Sequence, residues 1–233
     1  MPETPYFVYG EQEVERLASR DPILGAAMEE LGFIRRPVIP DLFMALVNSI
    51  VGQQISTKAQ ATIWNRMRER FTPLTPETIG AATAEEVQSC GVSMRKAFYI
   101  KDIAGEVLSG GLDLPHLRTL PDDAVCARLS GIKGIGVWTA EMLMIFSMQR
   151  MDILSWGDLA VHRGLRMLYR HRAVTPTLFA KYKKRYSPYA TVASLYLWAV
   201  AGGACPGLED CAPKTASKKN AKAGTRRKKD QNR

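Results

Sequence analysis

Apolar residues recur three or four positions apart along most of the chain, which is the spacing of one face of an α-helix. From Asp41 this pattern runs into the segment V-G-Q-Q-I-S, and Ser56 stands where it can cap a second helix that ends near Phe71. Alternating runs of β-branched residues, which are typical of strands, are nearly absent. The pattern therefore predicts an all-α domain.

Capping signals predict further helices on both sides of this pair. The first forty residues have looser helical patterning that Pro22 interrupts and that ends before Pro40. Pro76 suits a first helical turn, and Thr83 with Glu86 has the spacing of a capping box. A helix follows in G-V-S-M-R-K-A-F-Y-I, and others are predicted over residues 122–130, 158–169, 177–185 and 189–201.

Two glycines, Gly134 and Gly136, open an apolar helix in I-K-G-I-G-V-W-T-A. Because a predicted helix precedes them, residues 122–148 form a helix-hairpin-helix unit rather than the strand-turn-helix of a dinucleotide fold. Backbone N–H groups at a helix start attract anions, Lys133 adds positive charge, and Thr139 offers a cap or a hydroxyl contact. We therefore predict that Lys133, Gly134, Gly136 and Thr139 bind DNA phosphates.

Charge is concentrated at the C-terminal end of the chain. The formal net charge is +9, and residues 213–233 contain nine Lys or Arg against one acid. This segment has too few apolar residues to form a core, so we predict a helical domain over residues 1–212 and a disordered basic tail over 213–233. The tail is either an arm that adds sequence-independent phosphate contacts or a solubilising extension.

The sequence has few features of export, membrane insertion or metal binding. The start, M-P-E-T-P-Y-F, lacks the features of a signal peptide, and the longest apolar run, residues 192–205, is too short to span a bilayer. This predicts the bacterial cytoplasm, or the nucleus of a eukaryote, and no membrane partner. Cys205 and Cys211 have the spacing of part of an iron–sulfur loop, but four thiolates are usual. No metal and no other cofactor is expected.

Three motifs together resemble a known family. They are the hairpin G-I-G-x-W-T-A, the isolated acid in S-W-G-D-L-A-V-H-R, and V-G-Q-Q-I-S with G-V-S-M-R-K-A. These are similar to the helix-hairpin-helix DNA glycosylase superfamily, in particular its 3-methyladenine DNA glycosylase II (AlkA-like) branch, over residues 40–205. The resemblance implies a two-lobed helical fold with the active site in the cleft between the lobes. It also implies a monomeric base-excision repair enzyme that acts on damaged bases in duplex DNA.

Asp158 follows a Trp-Gly break and begins a helix, so the sequence alone indicates a helix N-cap. The resemblance matches this position to the catalytic aspartate of the superfamily, which can also cap its helix. After the nucleotide is flipped from the duplex, a fixed carboxylate would stabilise the oxocarbenium character of the sugar and orient the attacking water. An alkylated purine such as 3-methyladenine is cationic and leaves easily, so one carboxylate suffices.

The resemblance assigns further residues to the site. Trp138 stands where lyase-competent relatives similar to endonuclease III have a Schiff-base lysine, so we predict a monofunctional glycosylase that leaves an abasic site. Trp138 and Tyr189 are expected to form the base pocket together with Met142 and Leu159. Met142 and Leu159 stand where some members of the family have tyrosines. For Trp138 and Tyr189, the alternative is ordinary packing in the core. Gln54 is expected to fill the gap left by the flipped nucleotide, or else to be a solvated loop residue.

Two other functions remain open from the sequence. One is a non-catalytic helix-hairpin-helix module that only binds DNA, although the retention of Asp158 at the family spacing argues against it. The other is a glycosylase for an oxidised or deaminated base.

Overall fold

The computed structural model describes residues 4–213, and this part of the chain is helical with short connections. It contains thirteen helices and no strand; Tyr6 and Pro37 form an isolated antiparallel bridge. The helices are α1 (Glu11–Arg20), α2 (Pro22–Leu31), α3 (Leu42–Gly52), α4 (Thr57–Arg70), α5 (Pro76–Ala81), α6 (Ala84–Gln88), α7 (Met94–Leu108), α8 (Leu114–Leu117), α9 (Asp122–Ser130), α10 (Val137–Phe146), α11 (Leu159–Tyr169), α12 (Pro176–Tyr186) and α13 (Ala190–Ala201). The prediction of an all-α fold is confirmed.

Several predicted helix starts are confirmed with their capping bonds. The Ser56 hydroxyl accepts from the Ala59 N–H at 3.2 Å, and α4 ends at the residue before Phe71. Thr83 and Glu86 form the reciprocal capping box. The four-residue helix α8 was not predicted, because one helical turn is too short to show a period.

The helices pack in two groups, as a two-lobed fold requires. One group comprises α1 and α2 with α11, α12 and α13, and the other comprises α3 to α7 with α9 and α10. In the first group α11 packs very closely on α13. A Cβ atom on Gly164 would lie 2.3 Å from the carbonyl oxygen of Leu197, so only glycine allows this approach. The N-terminus of α11 is thereby held at a fixed place relative to α13.

A buried polar network joins the N-terminal helices to α11 and α12. Asp21, only 2% exposed, caps α2 by accepting from the Leu24 N–H. Its other oxygen accepts from the Tyr169 hydroxyl at 2.7 Å and from the Arg185 guanidinium at 2.8 Å. Since the Tyr169 proton goes to Asp21, the Tyr186 hydroxyl donates to Tyr169, also at 2.7 Å. Burial raises the pKa of both tyrosines, so they remain protonated donors.

The last described residues are anchored to α11. Arg166 donates from two nitrogen atoms to the carboxylate of Asp210, each at 2.7 Å. These bonds lower the pKa of Asp210 to about 2. The predicted basic tail lies outside the described residues, except for Pro213.

Neither a metal cluster nor a membrane span is found in residues 4–213. No three His, Cys, Asp or Glu side chains in this range are grouped as a metal site would need, and all four cysteines are free thiols. None of the helices in this range has the length and apolar character needed to cross a bilayer.

Candidate active site

Asp158 lies at the N-cap of α11 and is 6% exposed. Its Oδ1 atom accepts from the backbone N–H groups of Ala160 and Val161, at 2.8 and 2.9 Å. Its Oδ2 atom accepts from the indole Nε1–H of Trp138, at 2.9 Å. The carboxylate is therefore held rigidly by three donors, and Oδ2 keeps a further acceptor site for a water or a sugar.

Asp158 borders a largely apolar cavity of about 830 Å³. This volume is in the range of small-molecule sites and accommodates a flipped base. Both helix groups and the segment before α3 contribute to its wall, so the cavity is a cleft between them. The lining residues include Arg36, Trp138, Thr139, Met142, Phe146, Asp158 and Trp198.

The hairpin between α9 and α10 presents free backbone donors. Gly134 has φ +87°, and Gly136 is the N-cap of α10 without a side-chain cap. Among residues 4–213 no acceptor bonds to the N–H of either glycine. A Cβ on Gly134 would lie 2.7 Å from the Tyr99 ring, so glycine is required there for conformation and for space. The geometry suits an anion at the hairpin.

A hydrogen-bonded clamp connects this hairpin to the loop between α3 and α4. The Gln53 amide donates to the carbonyl of Gly134 at 2.7 Å, and the Lys96 ammonium donates to the carbonyls of Val51 and Gln53, at 3.0 and 2.6 Å. Gln54, next along the loop, is exposed and has φ +56°. The residue expected to enter the duplex is therefore held at a fixed distance from the hairpin.

The structure brings four of the predicted site residues together at the cavity. Asp158, Trp138, Met142 and Thr139 all line the cavity. Lys133 is exposed at the hairpin, 3.9 Å from the carboxylate of Asp102.

Tyr189 and Leu159 are not among the residues that line this cavity, and their place in the base pocket stays a prediction. Tyr189 is the N-cap residue of α13, without a side-chain cap, and packs partly against the core, whereas Leu159 begins α11 and is 85% exposed. Tyr189 precedes the cavity residue Trp198 by nine residues. Nine residues are two and a half helical turns, so the two positions fall on opposite sides of α13.

Three cavity residues were not anticipated from the sequence. Phe146 and Trp198 pack at a ring-centroid distance of 5.6 Å, and the Arg36 guanidinium lies over both rings. Phe146 has a signal in the sequence, because residues 138, 142 and 146 are four apart on one helix. Arg36 and Trp198 have no such signal, since tertiary packing alone brings them to the cavity.

A second acid, Glu141, lies one turn after Trp138 but outside the cavity lining. Its carboxylate accepts from the buried Ser155 hydroxyl, which ties α10 to the segment that leads to Asp158. Burial is the main cause that raises the pKa of Glu141, and the charge of Asp158 contributes. Glu141 supports the site without facing it.

A helix-hairpin-helix unit beside a cleft that contains a fixed carboxylate defines the class of helix-hairpin-helix DNA glycosylase folds. The comparison with known families agrees: residues 47–188 match the HhH-GPD superfamily of base excision DNA repair proteins, and the chain belongs to this superfamily.

Individual relatives support the same assignment. The chain is 34% identical over 160 residues to DNA-3-methyladenine glycosylase 1 of Schizosaccharomyces pombe, covering 66% of this chain and 69% of the relative. A crystal structure of a DNA-3-methyladenine glycosidase from Bacillus halodurans is similar with a TM-score of 0.75 at 38% identity, covering 85% of this chain and 93% of that one. An S. pombe 3-methyladenine DNA glycosylase in complex with abasic DNA has a TM-score of 0.69 at 30% identity, covering 82% and 97%.

Proposed function

We propose that this protein is a monofunctional DNA glycosylase that removes alkylated purines, such as 3-methyladenine, from duplex DNA and leaves an abasic site. The observation that carries the proposal is the Asp158 carboxylate, fixed by Trp138 and two backbone donors at the edge of an apolar cavity. The names of the similar proteins support the substrate class. The proposal includes action as a monomer on DNA, in the bacterial cytoplasm or the nucleus.

The proposed mechanism assigns a role to each part of the site. The hairpin donors of Gly134 and Gly136 bind a phosphate, and Gln54 fills the gap left by the flipped nucleotide. The base enters the cavity near Trp138 and Met142. As the glycosidic bond breaks, Asp158 stabilises the positive charge on the sugar, and its Oδ2 orients the water that attacks C1′. The cationic alkylpurine leaves as a neutral base.

The absence of lyase activity is part of the proposal. Lyase chemistry needs an amine that attacks the sugar carbon, and no lysine is among the described residues that line the cavity. The side chain hydrogen-bonded to Asp158 is that of Trp138. Its indole nitrogen is a hydrogen-bond donor and not a nucleophile. Lys133 lies at the hairpin, outside the lining.

We expect borohydride to trap no covalent complex between the enzyme and DNA that contains a damaged base. A Schiff base would be reduced to a stable adduct that migrates slowly in a denaturing gel. A lyase-competent glycosylase in the same buffer serves as the positive control. A trapped band with this protein would contradict the monofunctional assignment.

The activity itself is tested with duplexes that each carry one lesion. Purified protein is incubated with a duplex that contains 7-methylguanine, hypoxanthine or an oxidised purine, or with an undamaged control duplex. Alkali then cleaves the strand at any abasic site. We expect strand cleavage with the alkylated purine and none with undamaged DNA. No cleavage with any lesion, together with tight DNA binding, would favour the non-catalytic module instead.

A further inference from the structure

The turn that leads into Asp158 is held at both ends by one face of α10. Residues 155–158 form a four-residue turn in which the Asp158 N–H donates to the Ser155 carbonyl at 3.4 Å. At its first residue the Ser155 hydroxyl donates to the Glu141 carboxylate, and at its last residue Asp158 accepts from the Trp138 indole at 2.9 Å. Trp138 and Glu141 are three residues apart on α10, so their side chains lie on the same face of that helix.

The middle of the turn packs directly on α10. A Cβ atom on Gly157 would lie 3.6 Å from the Cβ atom of Trp138, which is van der Waals contact. Ser155 is 1% exposed, and within residues 4–213 its hydroxyl bonds to Glu141 alone. A buried hydroxyl needs such a partner because water cannot replace it. The path of the backbone into Asp158 therefore depends on α10 and on these two side-chain bonds.

The segment before this turn is fixed from the other side, by α13. The Ile153 N–H donates to the Thr191 hydroxyl at 3.0 Å, and the Ser194 hydroxyl donates to the Ile153 carbonyl at 3.3 Å. Both hydroxyl-bearing residues are almost fully buried. Two residues later the chain is attached to α10 instead, through Glu141. The Glu141 bond is thus the contact that aligns the chain with α10 before Asp158 is reached.

Glu141 does not line the cavity, so it acts on a bound base only through other groups. Its carboxylate holds Ser155 by a hydrogen bond, and a negative charge on it would repel that of Asp158. The bond fixes geometry, whereas repulsion between two carboxylates opposes the ionised form of Asp158 that the chemistry needs. The geometry favours the bond as the useful contribution, because it is made at the start of the turn that carries Asp158.

We propose that Glu141 is a positioning residue for base release: its bond to Ser155 fixes the turn 155–158 and thereby the direction in which Asp158 presents Oδ2 to the sugar. The proposal rests on the proposed glycosylase function. A displacement of about 1 Å at a reacting group can cost on the order of 100-fold in rate. Loss of the Glu141 bond should therefore slow base release and leave DNA binding unchanged, since the hairpin and Gln54 do not depend on it.

The test measures single-turnover release of 7-methylguanine from a duplex and, separately, binding to abasic-site DNA. Glu141→Met keeps the length of the side chain and removes the acceptor, so we expect the rate to fall about 10- to 100-fold with unchanged affinity. Glu141→Gln keeps an acceptor oxygen without the charge, so its rate should stay close to that of the wild type. Circular dichroism at the assay temperature verifies that each variant is folded.

A double variant tests whether Glu141 and Ser155 act as one unit. Ser155→Ala removes the donor, so it should slow base release to a similar extent as Glu141→Met. The double variant should be no slower than the slower single variant, because the same bond can be lost only once. Ser155→Ala also provides the comparison with the wild type if Glu141→Met does not fold.

Ser187→Ala is the matched control. The Ser187 hydroxyl donates to the Asp152 carboxylate at 2.6 Å, so this variant also removes a serine donor from an acid. Neither residue lines the cavity or belongs to the turn at 155–158. Its rate of base release should stay at the wild-type level.

Other results contradict the inference. A wild-type rate in both Glu141→Met and Ser155→Ala would show that Asp158 is placed without this bond. A rate in Glu141→Gln as low as in Glu141→Met would assign the effect to charge, and parallel losses of rate and of affinity for abasic DNA would indicate a general structural role. These results refute the inference while the wild type remains active. A wild type that releases no alkylated base would refute the proposed function, and the inference with it.

Discussion

Replacement of Asp158 by Asn is expected to lower the rate of base release on the order of 10³-fold or more, while binding to abasic-site DNA stays near the wild-type level. An amide has no charge with which to stabilise the sugar cation, and loss of one preorganised electrostatic contact alone commonly costs 10²- to 10³-fold. The DNA contacts proposed for the hairpin and Gln54 do not involve this carboxylate, so they should persist in the variant. Single-turnover release of 7-methylguanine and a gel-shift titration with abasic DNA measure the two quantities.

The substitution also disturbs Trp138, and the experiment must separate this effect from the loss of charge. Asn has one acceptor oxygen, which the backbone N–H groups of Ala160 and Val161 require, so its NH₂ group would face the indole N–H. Trp138→Phe removes the indole donor and keeps the carboxylate. Trp138→Phe should therefore retain much more activity than Asp158→Asn.

Asp152→Asn is the matched control for the same chemical change. Asp152 accepts from the backbone N–H of Ala190 and from the Ser187 hydroxyl, and it lies outside the cavity lining. We expect wild-type rates in this variant. An Asp158→Asn protein with substantial base release would contradict the mechanism.

Replacement of Asp21 by Ala is expected to lower the free energy of unfolding by about 3 kcal/mol, because loss of one partner of a buried ion pair commonly costs 3–5 kcal/mol and Arg185 is only partly buried. The change removes the acceptor for the Tyr169 hydroxyl, the Arg185 guanidinium and the Leu24 N–H together. For a domain of this size the melting temperature should fall by roughly 10 °C. Urea unfolding and thermal scans measure the effect.

Asp41→Ala isolates the contribution of the buried network from that of capping. Asp41 caps α3 by accepting from the Met44 N–H at 2.7 Å, but it is exposed. Loss of this cap alone should cost about 1 kcal/mol. Similar losses in the two variants would show that the bonds to Tyr169 and Arg185 add no net stability.

The sequence was most informative where the evidence is local. Helix starts depend on residues within one turn, so Ser56, Thr83 and Glu86 could be identified as caps without the fold. Gly134 was likewise predictable as a turn glycine, because its positive φ belongs to the hairpin itself, whereas its close contact with the Tyr99 ring on α7 was not predictable. The catalytic assignment of Asp158 came from resemblance, since its local pattern indicated only a cap.

The cavity wall was less predictable because its residues come from distant parts of the chain. The 2.9 Å bond between Trp138 and Asp158 joins residues twenty positions apart. Trp198 on α13 lines the cavity and had no signal in the sequence, whereas Tyr189 and Leu159, which were expected in the base pocket, are not among its lining residues. The period of a helix specifies which residues share a face, but it does not specify which neighbour that face meets.

The sequence by itself determined an all-α fold, the hairpin and the position of the acid, because each depends on interactions a few residues apart. Only the tertiary structure decided which groups surround that acid. The approach of α11 to α13 at Gly164 and the fastening of the segment before α3 to α10 bring Asp158, Trp198 and Arg36 to one cavity. These contacts depend on shape complementarity between whole helices, which the spacing of apolar residues along one helix does not contain.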